Sequence, residues 1–178
     1  MGCDIHCYVE YRKHQEVHDE WSRYWSGFGG RINPGRNYEF FARLAGVRGD
    51  WGDKDAIAAG RGLPDDVSWR ASSDNLLTIK YSPQPGIYSD GEVSPETAER
   101  WSKNGSKYIY LKDAAGVQAE KPHAVTHPDW HSHSWATPTE FAKAARGCGA
   151  CEYKALIAAM RSLERSGCEV RVVFWFDN

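Results

Sequence analysis

No stretch of this chain is apolar for long enough to cross a bilayer. A spanning helix needs roughly 20 such residues, and no run comes near that. The opening Met1-Gly2-Cys3-Asp4 lacks the apolar core of a signal peptide. Charge of one sign is also missing. The net charge is -2, so neither general nucleic-acid binding nor membrane-surface binding is expected. Cysteine is too sparsely placed for a closed zinc site: Cys148 and Cys151 have the right spacing, but no second pair accompanies them. Cys3 and Cys7 on one strand would stand roughly 13 Å apart. Reduced, mostly structural thiols are the expectation. Repeats, low-complexity tracts and linkers are absent. The 178 residues therefore read as one domain, 1-178, able to bury roughly 70% of its unfolded surface without staples.

Aromatic residues with a polar tip are plentiful. Eight Trp and nine Tyr outnumber six Phe, as suits amphipathic edges of a core or a surface on which a base or a partner stacks. Residues 4 to 12 alternate. Ile5, Cys7, Val9 and Tyr11 point one way and Asp4, His6, Tyr8, Glu10 and Arg12 the other, which predicts a half-buried strand with a polar face. Residues 13 to 20 read as a hairpin tip and Trp21 to Trp25 as a returning strand. Asn37 caps a helix with Tyr38, Phe41, Leu44 and Ala45 on its buried stripe, ended by Gly46. Helical turns over 53 to 59, a strand over Leu76 to Tyr81 and a loop over Ser82 to Glu92 follow. Ser94-Pro95 opens a helix that runs to Lys103. Tyr108 to Lys112 reads as a strand and 113 to 136 as a long irregular connection. Thr137 to Glu140 is a capping box. A helix over 152 to 165 and a strand over Glu169 to Asp177, apolar on both faces, complete the chain. The expected fold is α+β, with a mixed or antiparallel sheet that includes the N- and C-terminal strands and helices packed mainly on one face.

The densest chemistry is Asp129-Trp130-His131-Ser132-His133-Ser134-Trp135. In an extended segment Asp129, His131 and His133 share a face. Such ligands suit a divalent metal: zinc, iron or manganese. Asp4 and His6 repeat the spacing on the first strand, and Asp177 could join them. If the segments meet, Asp4, His6, Asp129, His131 and His133 form a metal set. Without metal, His131, His133 and His6 could act as general acid and base on a phosphodiester. A hydrogen-bonded surface network is the competing reading.

A second constellation is basic. Arg23, Arg31, Arg36, Arg43 and Arg48 lie among glycines, with Glu39 the one acid between them, and Arg61 follows in a tight loop. Glycine-rich backbone, helix N-termini and guanidinium groups all bind phosphate. Arg36, Asn37, Tyr38, Arg48 and Arg61 are thus candidate phosphate-binding residues, with Trp130 or Trp135 stacking on a base. Ordinary surface charge is the alternative for each arginine.

Met1-Gly2-Cys3-Asp4-Ile5-His6, Gly35-Arg36-Asn37-Tyr38, Arg61-Gly62-Leu63-Pro64-Asp65-Asp66, His133-Ser134-Trp135 and Val170 to Asp177 resemble, in order, an uncharacterised family of small bacteriophage proteins. The resemblance implies a phage accessory protein working in the host bacterial cytoplasm, of a kind that counters host defence. By analogy, the expected function is an anti-defence hydrolase, phosphodiesterase-like, that acts on a cyclic nucleotide or NAD-derived signalling molecule. Its alternatives are a sponge that sequesters such a nucleotide without chemistry and a protein that inhibits a host defence protein. Self-association and a host protein partner both stay open.

Overall fold

Alternation over the first residues builds the scaffold. The computed structural model describes residues 2–13, 24–49, 55–81, 91–111 and 115–177. Within them the fold is α+β: β1 (Ile5–Lys13), β2 (Ser26–Gly27), α1 (Tyr38–Ala45), α2 (Trp69–Asn75), β3 (Leu76–Ile79), β4 (Glu92–Val93), α3 (Pro95–Lys103), β5 (Tyr108–Ile109), β6 (Ala124–Thr126), β7 (His131–Ala136), α4 (Pro138–Ala144), α5 (Cys151–Arg165) and β8 (Cys168–Phe176). The chain divides into two units, Met1–Ala71 with His131–Asn178, and Ser72–Trp130.

In the first unit four antiparallel strands run in the order β2-β1-β8-β7. The two chain ends lie side by side, in register from Ile5 opposite Phe176 to Lys13 opposite Cys168. Strand β8 sits between β1 and β7 and is buried on both faces from Val170 to Phe176, in keeping with its apolar run Val172 to Phe176. One face, with Ile5, Cys7, Val9, Val172, Phe174 and Phe176, joins residues of α1, α4 and α5 in the core. The Phe41 ring meets Phe176 at 5.1 Å, and Phe40 meets Tyr153 at 4.5 Å and Phe141 at 5.0 Å. Both helix starts follow the expected chemistry. Asn37 Oδ1 accepts from Phe40 N at 2.9 Å, and Thr137 with Glu140 closes the capping box.

The other face of β1 is not solvated, contrary to the polar pattern. His6, Tyr8 and Glu10 are buried. Arg171 lies opposite Glu10 in the register, and its Nε donates to Glu10 Oε2 at 2.7 Å. Ser68 N donates to Glu10 Oε1 at 2.7 Å. Arg171 also holds the Asp66 side chain and carbonyl, and Trp25 Nε1 donates to Asp66 Oδ2. The Trp25 ring stacks against both Arg171 and Arg12, 3.9 and 4.8 Å from its centre. A buried acid is tolerated here because its partners supply both charge and hydrogen bonds.

The second unit holds a small sheet, β4-β3-β6-β5, parallel between β3 and β4 and antiparallel elsewhere. Its core is Ile79, Val93, Ala98 and Val125. Helix α3 starts where expected, with Ser94 Oγ accepting from Thr97 N at 3.1 Å.

Three elements depart from the sequence expectation. The stretch 113 to 136 is not irregular, since it contains β6 and β7. Polar His-Ser-His-Ser forms a strand because apolar β8 offers it a backbone partner. Helix α2 carries no apolar stripe that could announce it. The edge strand β2 lies at Ser26–Gly27, and neither Tyr24 nor Trp25 of the expected strand over Trp21 to Trp25 belongs to it. The hairpin tip at 14–20, residues 21–23, Asp53 and Lys54, and most of the loop from Ser82 to Glu92 fall outside the described residues. No helix among the described residues is long and apolar enough to cross a membrane.

Candidate functional site

At one end of the first unit's sheet, β1 begins, β8 ends and β7 begins, since Ile5 and His131 both stand opposite Phe176. This topology gathers several candidate residues. Asp177, one residue past β8, exchanges main-chain and side-chain bonds with the start of β1. Its N donates to Asp4 O at 3.1 Å, and its Oδ1 accepts from Asp4 N at 2.9 Å. Its Oδ2 lies 2.8 Å from His6 Nε2. An ionised carboxylate can only accept, so Nε2 carries the proton and Nδ1 the lone pair when the imidazole is neutral. The Asp177 side chain is 30% exposed and that of His6 9%.

Asp4 is gripped in turn by Arg36, which donates from Nε to Oδ1 at 2.6 Å and from its terminal amine to Oδ2 at 2.7 Å. That fork holds the Asp4 carboxyl below its ordinary pKa and raises that of Arg36. The backbone explains the approach: a Cβ on Gly2 would collide with the Arg36 guanidinium. Arg48 is exposed and in the left-handed region at φ 59°, and its guanidinium acts to lower the pKa of the buried Cys3 thiol. Burial nevertheless raises the Cys3 pKa.

The two histidines of β7 do not share a face. Ser132 adopts φ 51°, and the β7–β8 register shifts between His131 and Ser134. A bulge inserts one residue and reverses the alternation beyond it. His131 therefore stacks on Phe176 at 6.1 Å, while His133 stacks on Trp175 at 6.0 Å. Trp175 is opposite His6, whose ring lies 5.9 Å from it, and Tyr8 stacks on it at 5.3 Å. Two imidazoles, His6 and His133, thus flank one buried indole on the same face.

Each of the remaining candidates has partners of its own. Asp129 belongs to the second unit, where its N donates to His127 Nδ1 at 3.2 Å. Trp130 stacks against the same His127 at 5.0 Å. Arg61 is tied to Glu140 through two bonds of 3.0 and 2.7 Å, donates to Trp135 O, and covers the Trp135 ring at 4.9 Å. Arg61 thereby pushes the Glu140 carboxyl down to about 2. The start of α4 is filled by its own capping box and Arg61. Asn37 spends its side chain on α1. Tyr38 is partly exposed at the first turn of α1, beside Phe41. Arg43 bonds Glu39 and the Arg146 carbonyl.

Among the described residues no group of three or more His, Cys, Asp or Glu is placed to hold a metal ion. Comparison with protein-family models, curated proteins and solved structures found no significant match. Asp177 was only an accessory candidate in the sequence. Its central place follows from the pairing of the chain ends, which alternation suggests but does not specify.

Proposed function

We propose that the chain is a phosphodiester hydrolase acting on a small nucleotide, with the His6–Asp177 couple as its acid–base unit. The carrying observation is the 2.8 Å bond between His6 Nε2 and the partly exposed Asp177 carboxylate. Acid–base catalysis needs a titratable group held in one orientation at an accessible place. Asp177, held by two donors, faces outward and accepts the proton of the attacking water. His6, donating from Nε2, orients the ionised carboxylate for that transfer. His133, across Trp175, is the second imidazole on the face and a candidate to protonate the leaving oxygen. Arg48, exposed at the same end, suits an anionic substrate. The substrate proposed, a cyclic nucleotide or an NAD-derived signal, and the anti-defence role in the bacterial cytoplasm rest on analogy with phage accessory proteins.

The test is turnover on a panel of cyclic nucleotides, dinucleotides and NAD derivatives. Asp177→Asn and His6→Ala are expected to lower kcat by about 10²–10⁴-fold, and His133→Ala to lower it less. Metal content of the purified chain is measured alongside: a stoichiometric ion lost in His6→Ala would assign the divalent-metal version of the chemistry. Ligand recovered intact after denaturing a complex would assign the sponge reading instead. The host-protein reading has its own observation: Trp69 is 78% exposed, in a unit that also exposes Tyr24 and Phe28. Capture of a host protein that is lost in Trp69→Ala would favour it.

A further inference from the structure

We infer that Arg36 is a positioning residue that acts through Asp4 to hold the Asp177 carboxylate against His6, rather than a phosphate ligand. The inference rests on the hydrolase reading for its kinetic arm and on geometry for the rest. A guanidinium grips phosphate or carboxylate most firmly through a pair of parallel N–H groups. Arg36 commits one of its two bidentate edges, Nε with a terminal amine, to the two oxygens of Asp4. Asp4 is in turn the residue whose main chain binds Asp177 twice, through N to Oδ1 and through O from Asp177 N. Asp177 Oδ2 then meets His6. The chain of bonds is continuous from Arg36 to the imidazole.

The loop that carries Arg36 is itself fixed. Asn33 Oδ1 accepts from Gly35 N at 2.9 Å, Gly35 takes φ 87°, and Tyr153 of α5 donates its hydroxyl to Gly35 O at 3.1 Å. On the opposite side, Gly2 has no Cβ, and one placed there would displace the Arg36 guanidinium. Two glycines on different segments thus serve one arginine. Local glycine chemistry of this kind matches a requirement for position more than for exposed charge.

The experiment compares Arg36→Gln, Arg36→Lys and Gly2→Ala with the parent chain, with Arg31→Gln as a control that leaves the network intact. The readouts are the split between kcat and KM and the 15N shifts of the His6 ring at fixed pH, which report its tautomer. Arg36→Gln and Gly2→Ala are expected to lower kcat by about 10- to 100-fold with KM within about threefold. The His6 ring should pass from a locked Nε2–H form to an average of both tautomers. Arg36→Lys should restore part of each effect, and Arg31→Gln should leave both unchanged. A raised KM with unchanged kcat and an unchanged His6 tautomer would overturn the inference and make Arg36 a ligand contact. If the parent turns over no nucleotide, the hydrolase reading fails and the ring shifts alone decide this one: a tautomer unchanged in Arg36→Gln overturns it. Thermal unfolding identifies a variant that fails to fold. In that case Arg36→Lys, which keeps the charge and loses the fork, carries the test.

Discussion

At the scale of single residues, the molecule spends most of its chemistry on ion pairs that organise its own loops. Glu10 is fully buried and is compensated by Arg171 and Ser68 N. Removing one partner of such a pair leaves a charge without compensation. Arg171→Leu should therefore cost about 3–5 kcal/mol of stability in urea unfolding, and the double change Glu10→Leu with Arg171→Leu should recover most of it. Equal losses in the single and double variants would refute that reading. Glu140 gives a pH signature. Its carboxyl falls from an ordinary 4.5 to about 2, first through Arg61 and then through Thr137, against an opposing effect of burial. A depressed acid contributes stability above its unfolded pKa, and that contribution is lost as pH falls through the folded value. Between about pH 4.5 and 2 the parent should lose on the order of 1–2 kcal/mol from this group, solvent screening included, and Glu140→Gln should remove that slope. An acid titration of stability by circular dichroism checks it.

At the scale of elements, α1, α3 and α4 were legible because their starts are written locally. Asn37, Ser94-Pro95 and the Thr137–Glu140 box each satisfy backbone donors within one turn. The terminal strands were legible through alternation and through the apolar run of β8. Strand β7 was not, because its residues are polar and its strand form comes from pairing with β8. The facing of its histidines was also hidden. Alternation puts His131 and His133 together, whereas the bulge at Ser132 separates them. One φ value decided this, and Ser does not signal a left-handed conformation. A β-branched residue fits that conformation poorly. Ser132→Val should cost about 1–2 kcal/mol and move the His131 ring off Phe176, visible as loss of the ring-current shift on His131. An unchanged shift would show that the bulge does not depend on this residue. The arginine cluster misled for a related reason. Spacing locates the charges, but the carboxylates that neutralise Arg36 and Arg61 lie 32 residues before and 79 residues after them.

At the scale of the molecule, the two units differ in what they bury. The first joins three strands and three helices in one core, and the second centres on Ile79, Val93, Ala98 and Val125. Local opening is easiest where few apolar contacts oppose it. Native-state hydrogen exchange should show the amides of β3 and β6 opening at lower free energy than those of β1 and β8. Equal protection would contradict that ranking. The candidate site belongs to the better-buried unit, at the sheet end where the chain's first and last strands meet, which suits a constellation that must hold its geometry. The direct measurement is single-turnover cleavage of a nucleotide phosphodiester panel by the parent and by Asp177→Asn. Cleavage by the parent, with the single-turnover rate lowered by about 10²-fold or more in the variant, is the expected result. Cleavage by Asp177→Asn at the parent's rate would contradict the assignment of the acid–base unit to His6 and Asp177.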